Sequence, residues 1–211
     1  MAAVQDTRTR ILDAAERLFF HEGIAVTGVD RIATEADVAI VTLYRHVGSK
    51  DALLASVLER RLASWQQHWD AAVAAAHTPE DRLLAVFDAI ATFRAAAGPA
   101  QWCCFLATAS ERPAPESGAV DPVFALIEQD TRLVTTRLTA LAADVPGIDA
   151  DATAADLLLL YNGVLSSLLR GRPADPVDRA RSAARSLLAA ATHGRSVDTA
   201  VDGVTKSTPP A

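Results

Sequence analysis

Apolar residues recur along this chain at intervals of three and four, with polar residues between them, and that period is the helix's own. Ile11, Leu12, Ala15, Leu18 and Phe19 line one face of a helix over 7–22, and Gly23 follows as its C-terminal cap. Thr27 opens a short second helix, with Asp30 three residues on as capping partner and Ile32, Ala33 and Ala36 on the inner face. A tight connection at Asp37-Val38 leads into a third helix over 39–46. Ser49 caps a fourth, which carries Leu53, Leu54, Val57, Leu58, Trp65 and Trp69. Downstream, Thr78-Pro79-Glu80-Asp81 supplies an N-cap, a proline at the first helical position and acids in the first turn. That helix ends at Gly98-Pro99. Asp121-Pro122 and Asp175-Pro176 open two more in the same way, and Asp149 or Asp151 opens another that Gly171 closes. No strand-like alternation with hairpin turns occurs. The pattern predicts an all-α chain of about nine helices.

Two further stretches shape the organisation. Residues 153–170 and 177–192 read as adjacent amphipathic helices, and Leu157-Leu158-Leu159-Leu160-Tyr161 is apolar on nearly all sides. One face of that helix would be exposed in a monomer. Pairing with the same helices of a second subunit buries it in a four-helix interface, and a fully internal helix is the alternative. Residues 194–211 lose the apolar periodicity and read as a flexible tail.

Half of the 211 residues are hydrophobic, ample for a packed core. The apolar runs look too short to span a bilayer, and the N-terminus lacks the basic and apolar regions of a secretion signal. The two cysteines, Cys103 and Cys104, are sequence neighbours that cannot staple distant segments, which suits a reducing cytoplasm. The net charge is −6, and the first fifty residues hold six cations against seven acids, so a basic DNA-binding footprint is missing. Any docking on DNA must rest on where donors sit.

Residues 27–50 provide such placement. Two short helices joined by so brief a turn cross steeply, and the second projects as a ridge that fits the major groove. With Leu43 and Val47 inward, Thr42, Arg45 and His46 lie on the outer side. Arg45 can donate two hydrogen bonds to a guanine edge or pair with a phosphate, and the Thr42 and Tyr44 hydroxyls can hold phosphates. Ile40 and Val41 could meet a thymine methyl. Thr27 and Lys50 stand at helix N-termini, where backbone amides favour phosphate oxygens. Tyr44 has a competing reading as mainly a packing residue.

The ordered set Arg10-Ile11-Leu12-Asp13-Ala14-Ala15, Leu18-Phe19, Gly23, Thr27, Ile32-Ala33, Ala36, Val38, Thr42-Leu43-Tyr44-Arg45-His46-Val47 and Ser49-Lys50, followed by Leu53-Leu54, resembles the DNA-binding domain of the tetracycline-repressor (TetR) family. The resemblance covers residues 8–54. It implies an N-terminal three-helix helix-turn-helix domain (1–50), a C-terminal helical ligand-binding and dimerisation domain (51–193), and a homodimer that binds a palindromic operator. It implies DNA contacts at Thr27, Thr42, Tyr44, Arg45, His46 and Lys50. The segment from Trp102 to Ala107, with Glu111-Arg112-Pro113, also resembles a central segment of some subfamilies. Three positions depart from the family pattern. Asp37 stands where glycine is common, Ile40 and Val41 stand where a polar residue and a glycine are common, and the N-terminal arm carries only Arg8 and Arg10.

The aromatics Trp65, Trp69, Phe87, Phe93, Trp102, Phe105 and Phe124 are candidates for an effector pocket, with ordinary core as the equal alternative. Cys103-Cys104 lack a nearby histidine or acid at ligand spacing and read as core, with no metal or cofactor expected. No GxSxG, HExxH, phosphate loop or dinucleotide fingerprint occurs, so an enzyme is disfavoured. The leading expectation is a cytoplasmic, ligand-responsive repressor, released from DNA by a small, largely apolar effector. A helical scaffold that binds a protein partner through its Leu-rich C-terminal helices is the other reading. Salt separates them, because DNA affinity falls steeply with log salt.

Overall fold

The computed structural model describes residues 6–97, 103–112, 115 and 121–202. Among these, nine helices and no strand occur: α1 (Thr7–Glu22), α2 (Val29–Glu35), α3 (Ile40–Val47), α4 (Lys50–Ala75), α5 (Pro79–Ala97), α6 (Cys104–Glu111), α7 (Pro122–Ala143), α8 (Ala150–Arg170) and α9 (Pro176–Asp202). The all-α expectation holds.

Local chemistry sets most helix starts. The Thr78 hydroxyl accepts the Asp81 N–H (3.0 Å) and donates to the Asp81 carboxylate (2.9 Å), closing the first turn of α5. Asp121 Oδ1 accepts the amides of Val123 (2.9 Å) and Phe124 (3.2 Å), and Asp149 accepts that of Ala152 (3.1 Å). Each cap satisfies donors that the helix itself leaves orphaned. Gly171 ends α8 in the left-handed conformation, where glycine escapes the Cβ penalty. Helix α9 continues to Asp202, past the boundary at 194 where a tail was expected; residues 203–211 lie outside the described set.

The chain divides into two compact units. The first comprises residues 1–67 and 92–132, so it takes in α1–α3 and reaches well past residue 50. Its core gathers Ile11, Leu18, Phe19, Ile32, Leu43, Val47, Leu53, Leu54 and Leu58, all buried. Each such side chain contributes roughly 1.5–3 kcal/mol on leaving water, which fixes three short helices that could not persist alone.

The second unit comprises 68–91 and 133–211. Here α8 lies along α9, burying Ala154, Leu157, Tyr161 and Val164 with Ala180, Ala184 and Leu188. Leu159, Leu169 and Leu187 remain exposed, so α8 is not a fully internal helix. By length and composition α8 is apolar enough to cross a membrane, with a mean hydropathy of 1.4 over its best 18-residue window. The run-length reading of the sequence missed this, because Asp156 and Asn162 interrupt the apolar string without offsetting the leucines around them. Arg137 pairs with Asp70 (2.7 Å) and stacks over Trp69 at 4.6 Å in this unit.

Candidate nucleic-acid interface

The exposed face of α3 follows from its turn of entry. Val38 N–H donates to the Ala33 carbonyl (3.0 Å) and Asp37 N–H to Thr34 (3.1 Å), which closes α2 tightly. Asp37 occupies left-handed backbone at φ 53°. Aspartate tolerates that region better than most residues, so the turn survives without the usual glycine. Helix α3 then buries Leu43 and Val47 and exposes Ile40, Val41, Tyr44, Arg45 and His46, with Thr42 half-buried. Four of the six residues expected at DNA, Thr42, Tyr44, Arg45 and His46, therefore lie on α3 and are exposed or half-buried, and Lys50 opens α4.

Thr27 is the correction. Its side chain is 1% exposed, and the hydroxyl donates to the carbonyls of Gly23 (2.7 Å) and Leu18 (3.3 Å). The cap of α2 is Gly28, where an added Cβ would stand 2.3 Å from Asp30 Oδ1 and would require the Asp30 carboxylate to swing aside. Thr27 thus fastens the α1–α2 turn onto the C-terminal end of α1, and its hydroxyl is not available to a phosphate. The Thr-x-x-Asp spacing suggested a capping box, but two α1 carbonyls outcompeted the α2 amides for that side chain.

The arginines of α1 carry a function the sequence did not reveal. Arg8 donates to the His46 carbonyl (3.0 Å) and Ser56 Oγ (3.3 Å), and Arg10 donates to the Ala36 (2.9 Å) and Asp37 (3.3 Å) carbonyls. These carbonyls belong to the C-terminal ends of α3 and α2, where orphaned acceptors and the helix dipole favour a cation. Two side chains of α1 therefore hold both limbs of the helix-turn-helix at a fixed angle. Lys50 reaches the Ala25 carbonyl (3.4 Å) and lies 5.9 Å from the Phe19 ring centre.

The end of α6 is bolted to the same module. Glu111 accepts the amides of Ile24 (3.3 Å) and Ala25 (2.9 Å) in the α1–α2 turn. Arg112 forks onto both Asp51 oxygens (3.1 and 2.9 Å) and donates from Nε to Asp121 (2.7 Å). Its guanidinium holds the Asp51 and Asp121 carboxyls below the ordinary carboxylate range. The Glu111-Arg112 pair stood out in the sequence only as part of a resembling segment; the partners were not legible. These residues border a cleft of about 450 Å³ that also includes Lys50.

Of the aromatic candidates, Trp65, Phe93, Phe105 and Phe124 belong to the first unit and Trp69 and Phe87 to the second. Trp65, Trp69, Phe87 and Phe105 are buried, Phe93 and Phe124 half-buried, and Trp102 lies outside the described residues. Trp65 and Phe93 meet edge to face at 5.7 Å, and Arg61 stacks over Phe93 at 4.5 Å. Phe93 borders a second cleft, of about 240 Å³, together with Glu16, Arg60 and Arg61. Arg61 pairs there with Glu16 at 3.0 Å. Burial raises the Cys103 thiol to about 11 and pushes Cys104 higher still, so both remain protonated thiols at neutral pH. Asp130, a residue the sequence did not single out, is raised to about 7 by burial. No group of three or more metal-ligating side chains occurs among the described residues.

Residues 11–57 match the family described as "Bacterial regulatory proteins, tetR family". The transcriptional repressor SCO4008 of Streptomyces coelicolor is 43% identical over 56 residues, 26% of this chain and 29% of that protein. The repressor KstR of Mycolicibacterium smegmatis is 38% identical over 81 residues, 38% of this chain and 40% of its own length. The matches to these curated relatives thus span well under half of their length. The crystal structure of SCO4454, a TetR-family transcriptional regulator from Streptomyces coelicolor, superposes with a TM-score of 0.79 at 27% identity, over 88% of this chain and 96% of that one. Reduced Escherichia coli NemR shares the fold at a TM-score of 0.69 and 20% identity, over 86% of this chain and 97% of that one. Residues 11–57 thus carry a helix-turn-helix of the kind found in the TetR family of bacterial regulatory proteins, and the chain shares the all-helical fold of a TetR-family regulator at 27% identity.

Proposed function

We propose that the chain is a ligand-responsive repressor that binds a palindromic DNA operator as a homodimer and is released by a small, largely apolar effector. The observation that carries this reading is the exposed outer face of α3, with Arg45 and His46 at its centre on a module whose angle is locked by Arg8 and Arg10. The repressor names of SCO4008 and KstR, which match this same N-terminal region, support the sign of regulation. Thr42, Tyr44, Arg45, His46 and Lys50 are the proposed contacts, Arg45 to a base edge and the others to phosphates.

The second copy would pair through the helices near 153–170 and 177–192. Leu159 is 71% exposed, and Leu169 and Leu187 are also open, an apolar strip that a partner's equivalent helices would bury. An effector would lie among aromatics such as Trp65 and Phe93 and act by favouring one spacing of the two heads. The Glu111 and Arg112 contacts give that shift a physical route to the α1–α2 turn and to α4.

A gel-shift assay with duplex from the gene's own upstream region tests the reading. Retardation at low salt that is abolished by Arg45→Ala with Lys50→Ala is expected. No retardation, or retardation indifferent to both substitutions, refutes it and favours the protein-partner scaffold.

A further inference from the structure

We infer that Val41 and Arg45 form one reading couple, in which Val41 selects a C5-methylated pyrimidine close to the guanine that Arg45 recognises. The inference rests on the DNA-binding reading above and sharpens what that site would recognise.

Val41 is 65% exposed and its neighbour Ile40 is 42% exposed, both in the first turn of α3. Neither side chain is needed where it stands for the core, which α3 supplies through Leu43 and Val47. A β-branched residue there also gives up helix propensity relative to alanine. Residues 41 and 45 are four apart, hence on one ridge of the helix, opposite the inward side set by Leu43 and Val47. Their positions differ by roughly 6 Å along the helix axis, about two base-pair steps of about 3.4 Å.

Apolar side chains cannot hold a phosphate, so a groove contact by Val41 must be apolar too. Of the four bases, thymine alone presents an apolar group in the major groove, its C5 methyl. A 5-methylcytosine carries the same group, and the two sources differ in their pairing partner. Arg45, one turn on, has the geometry for the O6 and N7 acceptors of guanine. The couple therefore predicts a half-site in which a C5 methyl and a guanine fall within about two base pairs of each other.

The test uses the full chain and duplexes recovered by selection from a random library. Each thymine of the recovered half-site is replaced in turn by deoxyuridine, which keeps the O4 acceptor and the base pair and removes only the methyl. At one thymine the affinity should fall about fourfold per half-site, the worth of one buried methyl. Val41→Ala should bind the thymine and deoxyuridine duplexes equally. The sensitive thymine should lie within two base pairs of a guanine whose 7-deaza replacement weakens wild type and leaves Arg45→Ala unaffected. At that position 5-methylcytosine should bind better than cytosine if the methyl alone is read, and equally if thymine is recognised as a whole base pair. Duplexes that are bound yet indifferent to deoxyuridine, or a sensitivity that survives in Val41→Ala, overturn the inference while the regulator reading stands. Failure to recover any duplex overturns both.

Discussion

Arg112→Ala should destabilise the first unit by about 2 kcal/mol. The wild-type guanidinium makes three bonds, two to Asp51 and one to Asp121. Asp51 is more than half exposed, so its bidentate pair contributes roughly 0.5–1 kcal/mol. The Asp121 side chain is only 14% exposed and retains the Val123 and Phe124 amides after the substitution, so the loss there is roughly 1–1.5 kcal/mol rather than the full penalty of an unpaired buried charge. At 211 residues this corresponds to a fall in Tm of about 4–8 °C. Urea unfolding followed by tryptophan fluorescence measures it, with Arg132→Ala as control. Arg132 makes an exposed i,i+4 pair with Glu128 and should cost under about 0.5 kcal/mol. Acid provides an independent check. Both partner carboxyls have folded pKa values below their unfolded ones, so the stabilisation is complete above about pH 4 and disappears as pH falls through the folded values. The gap between wild type and Arg112→Ala should narrow as pH falls below the ordinary carboxylate range. An Arg112→Ala cost equal to that of Arg132→Ala, or a gap independent of pH, would refute the reasoning.

Asp130→Asn should stabilise the protein at pH 8 by up to about 4 kcal/mol, three pKa units at about 1.4 kcal/mol each. Folded Asp130 keeps its proton up to about pH 7 while the unfolded chain releases it near 4, so wild-type stability falls as pH rises through that window. Melting curves from pH 5 to 8 should slope in wild type and flatten in the variant; parallel curves would show that Asp130 is not the titrating group. Leu159→Asp, on the exposed strip of α8, should convert a dimer to monomer in sedimentation experiments without lowering Tm by more than about 2 °C. Persistence of the dimer would place the interface elsewhere.

What the sequence made legible was whatever depends on near neighbours. Thr78-Pro79, Asp121-Pro122 and Gly171 mark helix ends through local bonds, and each marks one in the structure, while of the two candidates Asp149 and Asp151 it is Asp149 that caps α8. The outer face of α3 was legible because Leu43 and Val47 fix its inner side. Thr27 misled because its two competing sets of partners, amides ahead and carbonyls behind, differ only once α1 is in place. Arg8 and Arg10 bind carbonyls 26 to 38 residues away, and Glu111 binds amides 86 and 87 residues away, separations at which spacing holds no information. The aromatics were visible as a set, but apolar periodicity cannot say which of them border a cavity.

The fate of the arginines in the first fifty residues bears on how such a protein would find its site. Arg8 and Arg10 are spent on helix ends, Arg17 on Glu35 and Arg31 on Glu22. Arg45 is proposed at a base edge, which leaves Lys50, already within reach of the Ala25 carbonyl, as the cation proposed at a phosphate, so a dimer docked as proposed would displace only about two condensed cations, against the six to ten phosphate contacts of strongly salt-sensitive binders. The logarithm of its affinity would then fall with log salt at a slope of only about −2. Weak attachment to arbitrary sequence follows, with short residence between encounters and little occupancy lost to the bulk of the chromosome. Discrimination in such a protein rests on the match at the base edges, and modest total affinity is compatible with high selectivity.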